Sequence, residues 1–197
     1  MKQLVRITTL VLTLVTGLAF STVTRAEDPY IDSPRAVIVL RDIYVSFKVK
    51  VLGLARIKGQ FDRLRGEMVS DADGKGTNVH MHIDADSLNT NDVWRDDYLR
   101  GPTFFSAEHY PHITFSGSCL SGKEDGAGRI VGNLSLRGVT RRVTFNVKTL
   151  SPPEGGRSGT YQATATIQRS DFGLNTLKHV VSDEVEIIVA MNAGTGV

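Results

Sequence analysis

Residues 132–148, GNLSLRGVTRRVTFNVK, decide the fold class of this chain. Apolar and polar residues alternate strictly on both sides of Gly138, which marks a turn. The apolar positions are Leu134, Leu136, Val143, Phe145 and Val147. Alternation with a period of two predicts strands that have one apolar and one polar face. An isolated two-stranded hairpin is only marginally stable in water, so the apolar face must pack against other strands.

The same alternation recurs in other segments, which are separated by clusters of turn-forming residues such as residues 71–76. The clearest of these segments are residues 45–51, 79–84, 161–167 and 185–189. About eight strands joined by short turns are expected to close into an antiparallel barrel, because closure leaves no exposed sheet edge. Gly59 and Gly66 are expected to bend or bulge the strand that contains them.

Residues 87–111 form the longest stretch without alternation. Good capping residues at 89–91, followed by Gly101 and Pro102, predict a short helix between them. The residues expected to form its apolar side are Val93, Trp94, Tyr98 and Leu99. A helical insertion of this length in a β chain is expected to lie as a lid or plug over one end of the barrel.

The first 26 residues have the pattern of a cleaved signal peptide. Lys2 and Arg6 precede an uncharged apolar run at 7–20, which is shorter than the ~20 residues that a membrane span needs. Residues 24–26 (TRA) offer a cleavage site after Ala26. We therefore expect a signal peptide at 1–26 and a mature domain at 27–197 that is periplasmic or secreted, with no stable membrane anchor.

The charge balance argues against a nucleic-acid partner. Removing Lys2, Arg6 and Arg25 from the 23 Lys and Arg leaves 20, against 21 Asp and Glu. No basic stripe with interleaved aromatic residues remains. Cys119 is the single cysteine, so no internal disulfide forms, and we interpret it as a buried small apolar residue.

Four stretches of sequence carry a resemblance to a known family. They are FKVKVLG and GQF at 47–53 and 59–61, NDVWRDDYLRGPTFF and YPHITF at 91–105 and 110–115, GNLSLRGVT at 132–140, and RSDFGL and DEV at 169–174 and 183–185. In these stretches, and in their order, the chain resembles the YceI-like proteins, exported bacterial lipocalin-like barrels that bind polyisoprenoid lipids. The resemblance implies a mainly β fold, an eight-stranded antiparallel lipocalin-like barrel with a short helical lid, and no cofactor.

The resemblance also implies an apolar lumen that takes an isoprenoid tail or a similar amphiphile. The residues expected to line it are Phe47, Val49, Phe61, Leu64, Met81, Ile83, Leu99, Phe104, Phe105, Ile113, Phe115, Leu134, Leu136, Val143, Phe145, Ile167, Phe172, Ile187 and Val189. Small residues at Ala163 and Ala165 favour a cavity, whereas the alternation alone is equally compatible with a solid barrel core. Whether the chain is a monomer or a homodimer is left open.

The chain departs from the family pattern on its first strands. Many members begin the first strand with a His-Ser pair and have another histidine just before a Leu-Gly pair. Here Asp42 and Ile43 replace the pair, and Val51 replaces the other histidine. If those histidines hold the polar end of a ligand, that end meets different groups in this chain.

Charged residues cluster beside the expected lid. Arg95, Asp96, Asp97 and Arg100 have the chemistry to contact a quinone or phosphate head group. We favour the alternative that Asp96 and an arginine form ion pairs that attach the helix to the barrel rim, because structural ion-pair networks are common.

Two groups of residues are candidates for metal or hydrolytic chemistry. His80, His82 and Asp84 share one face of a strand, but that face is the expected outer one, so we predict solvated side chains and no metal. Ser170 and His179 are close in sequence, yet no G-x-S-x-G motif surrounds the serine. We therefore predict a binding protein rather than an enzyme. The alternatives are a hydrolytic or metal-dependent barrel enzyme and an interaction barrel with a filled core.

Overall fold

Long strands dominate the chain, as the alternating sequence predicts. Within residues 36–70, 76–121, 128–154 and 158–195, which the computed structural model describes, there are ten strands and one α-helix. The strands are β1 (Ala36–Val51), β2 (Ala55–Phe61), β3 (Leu64–Ser70), β4 (Thr77–Asp84), β5 (Leu88–Asn89), β6 (His112–Ser121), β7 (Gly128–Leu136), β8 (Val139–Ser151), β9 (Gly159–Gln168) and β10 (Val181–Thr195). The helix, α1, is Val93–Arg100, and short 3₁₀ turns occupy Ala85–Ser87 and Arg169–Phe172.

The strands pair antiparallel and the sheet curls round on itself. Neighbours follow the order β1, β3, β4, β6, β7, β8, β9, β10, and β10 pairs with β1 again. The closing ladder is long, because it runs from Ile38 opposite Thr195 to Val51 opposite Val181. Closure satisfies the backbone groups that an open sheet would leave at its edges.

The strand count of ten differs from the eight that the alternation predicts. In the described residues, β2 and β3 are two pieces of one barrel wall. Both pair with β1 in one continuous register, in which Val45 lies opposite Phe61 and Ile38 lies opposite Met68. The wall is interrupted between Phe61 and Leu64. The very short β5 pairs with β2 and is the other additional strand.

Helix α1 forms in the predicted segment and ends before Gly101 as expected, but its N-cap is Asp92 and not one of residues 89–91, and its orientation differs in part from the expected one. The side chain of Asp92 caps the helix by accepting a hydrogen bond from the Arg95 backbone N–H at 3.1 Å. Val93 and Trp94, expected on the buried side, are 73% and 88% exposed, whereas Asp96 is buried. Leu99, also expected on that side, does pack against the core, so the polar contacts of Asp96 and the packing of Leu99 together define the face that α1 turns towards the barrel.

Glycines in the walls make room for aromatic rings instead of forming bulges. The expectation of a bulge at Gly59 or Gly66 is wrong, because the strand register is unbroken at both residues. The Phe47 ring lies against Gly59, its cross-strand partner, where a Cβ atom would collide with the ring. Gly117 and Gly132 are also cross-strand partners, and the Phe115 ring covers both.

The close approach at Gly132 leads to a stability prediction. A Cβ atom on Gly132 would lie 2.5 Å from Gly117 Cα and 2.7 Å from Phe115 Cζ. Gly132→Val is therefore expected to lower the free energy of unfolding by about 3 kcal/mol, measured by urea denaturation. Gly128→Val on the same strand is the control, because a Cβ atom there would be 3.7 Å from its nearest neighbour. Equal losses in the two variants would contradict this explanation.

Several expectations lie outside the described residues. These are the signal peptide at 1–26 and residues 71–75 of the turn cluster at 71–76. Among the residues that are described, none belongs to a helix both long and apolar enough to cross a membrane.

Candidate functional site

A cavity of about 330 Å³ lies inside the barrel, between its strands and the segment that contains α1. Its lining consists almost entirely of aliphatic and aromatic side chains. The rings meet in two groups. Phe61 lies 6.0 Å from both Phe47 and Phe105, and Phe115 lies 5.2 Å from Phe145 in an edge-to-face contact. Ring contacts of this kind hold the aromatic walls in defined orientations.

Most of the side chains expected in the lumen do line this cavity. They are Phe47, Val49, Phe61, Met81, Ile83, Leu99, Phe104, Phe105, Ile113, Phe115, Leu134, Leu136, Phe145, Ile167, Ile187 and Val189. The small side chain of Ala163 also contributes to the lining, opposite Val189 of β10. Alternation along the strands therefore locates the cavity wall well, because successive side chains of a strand point to opposite faces.

Three expected lumen residues do not line the cavity. Val143 and Phe172 are buried in the packed core, and Leu64 is half-buried against it. Val143 lies opposite Gly132, and the Phe115 ring occupies the space above that glycine. Phe172 belongs to a 3₁₀ turn, so strand alternation does not determine its direction.

Sequence reasoning missed other lining residues. Some continue the alternation of a recognised strand, and these are Val45, Val51, Ile57, Val79, Ile130, Val185 and Met191. Leu177 and Val180 belong to the irregular segment between the second 3₁₀ turn and β10, where no periodic signal exists. The polar lining residues that were missed are Ser46, Tyr98 and Arg169.

The irregular segment is held in place by Arg169. This side chain is buried, and its guanidinium donates to the backbone carbonyls of Leu174, Thr176, Val181 and Ser182 at 2.5–3.1 Å. Burial lowers the pKa of Arg169, and the nearby Asp183 carboxylate partly offsets that effect. Because the guanidinium is engaged with backbone, its role at the cavity is to fix the wall formed by this segment.

Ser170 has a structural contact that bears on the hydrolase alternative. Its backbone N–H and its hydroxyl donate to the two carboxylate oxygens of Asp183, at 2.8 and 2.6 Å. His179, the residue considered as a general base, is exposed. These contacts give Ser170 the role of joining the 3₁₀ turn to β10.

The Ser170–Asp183 contact makes stability depend on pH. The hydrogen bonds from Ser170 lower the pKa of Asp183 below its ordinary value of 3.8. The stabilisation is therefore complete above pH 3.8 and is lost as the pH falls through the lowered pKa of the folded state. In urea denaturation, Asp183→Asn should be less stable than the wild type at pH 7, with a gap that narrows at pH 3 and below. A gap that stays constant with pH would contradict this assignment.

The charged residues of α1 attach this helix to the rim of the barrel, but their partners differ from the expected ones. Asp96 accepts hydrogen bonds from the backbone N–H and the hydroxyl of Thr90, at 2.8 and 2.5 Å, in place of the expected arginine. Arg95 donates to the hydroxyl and the carbonyl of Thr90 at 2.7 and 2.8 Å and also lines the cavity. Arg100 pairs with Asp97 at 3.0 Å and donates to the Leu88 carbonyl at 2.6 Å.

The histidines of β4 lie on its outer face, as expected, but the prediction that His80, His82 and Asp84 are all solvated is wrong for His82 and Asp84, which are half-buried. His80 is exposed, whereas His82 contacts His112 of β6, with ring centroids 4.3 Å apart. His112 Nδ1 is 3.5 Å from Asp84 Oδ1. Burial, with further contributions from Arg65 and His112, lowers the pKa of His82.

Cys119 is half-buried against the core, in agreement with its interpretation as an apolar side chain. Burial raises the pKa of its thiol. The thiol therefore stays protonated near neutral pH and lacks the thiolate character of a reactive cysteine.

Comparison with protein families gives a match over residues 37–193 to the model described as a YceI-like domain. The chain belongs to the YceI-like family. It is 31% identical over 152 residues to a UPF0312 protein of Yersinia pestis and to Protein YceI of Salmonella arizonae, covering 75% of this chain and 79% of each relative.

Solved structures of lower identity share the fold of this YceI-like chain. Burkholderia cenocepacia BcnA is 24% identical and superposes with a TM-score of 0.68, covering 78% of this chain and 96% of BcnA. A domain of Saccharophagus degradans, described as polyisoprenoid binding and implicated in plant cell wall breakdown, is 20% identical with a TM-score of 0.62. That match covers 83% of this chain and all of the domain.

Proposed function

We propose that this YceI-like chain is an exported binding or carrier protein that holds a long-chain amphiphile in the lumen of a lipocalin-like barrel. The amphiphile is of the polyisoprenoid or isoprenoid quinone type. The observation that carries the proposal is the cavity of about 330 Å³ with its wall of aliphatic and aromatic side chains. This volume is within the ~300–1,000 Å³ range of small-molecule sites.

The tail of the ligand supplies most of the binding free energy in this proposal. Each square ångström of apolar surface removed from water contributes about 25 cal/mol. A branched, unsaturated isoprenoid chain suits rings such as Phe47, Phe61 and Phe105, which offer both edges and faces to its methyl groups.

The polar end of the ligand is assigned to the edge of the cavity near α1. Arg95 and Tyr98 of this helix are the lining residues there that carry polar groups, and Arg95 Nη1 has only a long 3.7 Å contact with Asp92. Exposed Leu52 and Leu177 lie beside the lining residue Val180, whose carbonyl accepts from the Leu52 backbone N–H at 2.7 Å. Apolar side chains at this edge would ease the passage of a tail between a lipid phase and the lumen.

The family supports the same class of ligand. The Saccharophagus degradans domain that shares this fold is described as polyisoprenoid binding. In this chain Asp42 and Val51 stand at positions where many family members carry histidines. We therefore propose that its preference for the ligand's polar end differs, while the tail site is retained.

The cavity and the contacts of Ser170 argue against the two alternative functions, an interaction barrel with a filled core and a hydrolase. An interaction barrel with a filled core requires side chains that occupy the interior. The cavity among the described residues argues against such a filled core. The hydrolase alternative relied on Ser170, whose hydroxyl donates to Asp183 instead of a histidine. Export rests on the sequence pattern of residues 1–26.

Binding of defined lipids tests this proposal. Purified protein, stripped of lipid, is titrated with a fluorescent polyprenyl probe, and ubiquinone, a fatty amide and a short soluble quinone are used as competitors. We expect saturable binding and displacement by the long-chain compounds but not by the short quinone. Displacement by the short quinone alone would assign recognition to the head group, and the absence of uptake would refute the lipid-carrier function.

A further inference from the structure

Outside the lumen, three potential metal ligands meet on the outer face of the barrel. They are His82 and Asp84 of β4 and His112 of β6. One ligand atom from each residue lies within 4.8 Å of the corresponding atoms of the other two. This cluster shares no residue with the cavity lining, so what it does is independent of the proposed lipid function.

The pairing of the two strands explains why these side chains meet. His82 and Asp84 are two residues apart and so point to the same face of β4. Asp84 is the direct cross-strand partner of His112. Cross-strand partners have Cβ atoms about 5 Å apart, and the diagonal neighbour remains within reach of an aromatic ring. The three residues therefore form a triangle on two hydrogen-bonded strands, which is a rigid support.

His82 supplies a second observation that points to a ligand. Its Nδ1 atom is inaccessible to solvent and has no hydrogen-bond partner among the described residues. A buried polar nitrogen without a partner is unfavourable, so such atoms in native proteins usually have an explanation. Coordination of a cation between His82 and His112, whose rings are in contact, would satisfy this atom.

The surroundings of Asp84 resemble the outer shell of a metal site. Arg63 donates from Nε to Asp84 Oδ2 at 3.3 Å, and its Nη2 donates to Asp86 at 2.6 Å. Asp84 Oδ1 instead faces His112 Nδ1. Arg63 therefore orients the carboxylate through one oxygen and leaves the other directed at the histidine pair. Outer-shell hydrogen bonds of this kind commonly orient ligating carboxylates.

From this geometry we propose that His82, Asp84 and His112 bind a divalent transition-metal ion of the class of Zn²⁺, Ni²⁺ and Cu²⁺. Two imidazoles and one carboxylate are a ligand set of borderline softness that suits these ions better than Mg²⁺ or Ca²⁺. Three protein ligands leave at least one coordination position for water or an external ligand. His112 and Asp84 also line a surface groove with Asp86 and Glu108, so that position opens towards the groove.

Zinc titration of the full-length, lipid-free protein tests the proposal. Isothermal titration calorimetry with Zn²⁺ is expected to show one site per chain, and Co²⁺ is expected to give the visible absorption of a site with nitrogen ligands. His82→Ala, His112→Ala and Asp84→Asn should each weaken Zn²⁺ binding by roughly tenfold or more. His80→Ala is the matched control, because His80 is exposed on the same face of β4, and it should bind Zn²⁺ like the wild type.

Two results would overturn the assignment. One is the absence of saturable Zn²⁺ binding to the wild type, and the other is unchanged affinity in His112→Ala. His112 is half-exposed, so its replacement tests the ligand with little risk to folding, and circular dichroism of each variant verifies the fold. Uptake of the polyprenyl probe should be the same in His112→Ala and the wild type, which separates this proposal from the lipid-binding one.

Discussion

Replacing Ala163 by tryptophan is expected to abolish ligand uptake while the barrel stays folded. Ala163 is 2% exposed and lines the cavity from β9, so an indole at this position would extend into the lumen and occupy the volume assigned to the ligand tail. The loss of affinity for the polyprenyl probe should be at least a hundredfold, which corresponds to about 2.8 kcal/mol of binding free energy.

The control for this variant lies on the same strand. Thr166 is exposed on the outer face of β9, so Thr166→Trp introduces the same side chain without entering the lumen. It should bind the probe like the wild type. Circular dichroism and thermal unfolding establish that both variants are folded, because overpacking alone costs typically 1–3 kcal/mol. Retained binding by a folded Ala163→Trp protein would place the ligand outside this cavity.

Replacing Arg169 by methionine is expected to cause the largest loss of stability. The guanidinium donates to the carbonyls of Leu174, Thr176, Val181 and Ser182. Its removal leaves one buried acceptor, at Leu174, and three half-buried acceptors without this donor. Each unsatisfied buried group costs about 1–3 kcal/mol, so the free energy of unfolding should fall by roughly 3–5 kcal/mol in urea denaturation.

Two further variants show whether charge or hydrogen-bond geometry is responsible. Arg169→Lys retains the charge but cannot reproduce the planar fork of donors, so it should be nearly as unstable as Arg169→Met. Arg142→Met, at an exposed position on β8, is the matched control and should change stability by less than about 0.5 kcal/mol. A stability of Arg169→Lys equal to the wild type would mean that charge alone is required.

The loss of Arg169 should also affect the cavity. Leu177 and Val180 line it from the segment that Arg169 fixes. If Arg169→Met remains folded at low temperature, it should bind the polyprenyl probe more weakly than the wild type. Weaker binding would show that the segment fixed by Arg169, together with the start of β10 at Val181 and Ser182, contributes to the ligand site.

The sequence predicts the position of a side chain correctly where the local pattern alone determines the face to which that side chain points. Leu134, Leu136 and Phe145 face the lumen because successive side chains along a strand alternate between two faces. The apolar lining is therefore readable from the hairpin at 132–148. The interruption of one barrel wall at Asp62 and Arg63 cannot be predicted in this way, because the alternation does not mark it. It accounts for one of the two additional strands, and β5 is the other.

The sequence does not predict the position of a side chain where contacts with residues distant in the chain determine it. Trp94 is exposed on α1, whereas Asp96 of the same helix is buried and accepts hydrogen bonds from Thr90, a contact that the apolar pattern of the helix does not predict. His112 joins His82 only through the register between β4 and β6, and neither segment alone reveals that pairing. Arg169 lies in a 3₁₀ turn, and its acceptors are backbone carbonyls, which leave no signature in a sequence.

Identification of the lipid held by the protein from its native host tests the central claim most directly. The full-length chain is purified under native conditions, measured intact by mass spectrometry and then extracted for lipid analysis, with Ala163→Trp treated in parallel. We expect one amphiphile with a long apolar tail per wild-type chain and none in the variant. A lipid-free wild-type protein that also takes up neither isoprenoids nor fatty amides, or equal lipid content in both proteins, would contradict it.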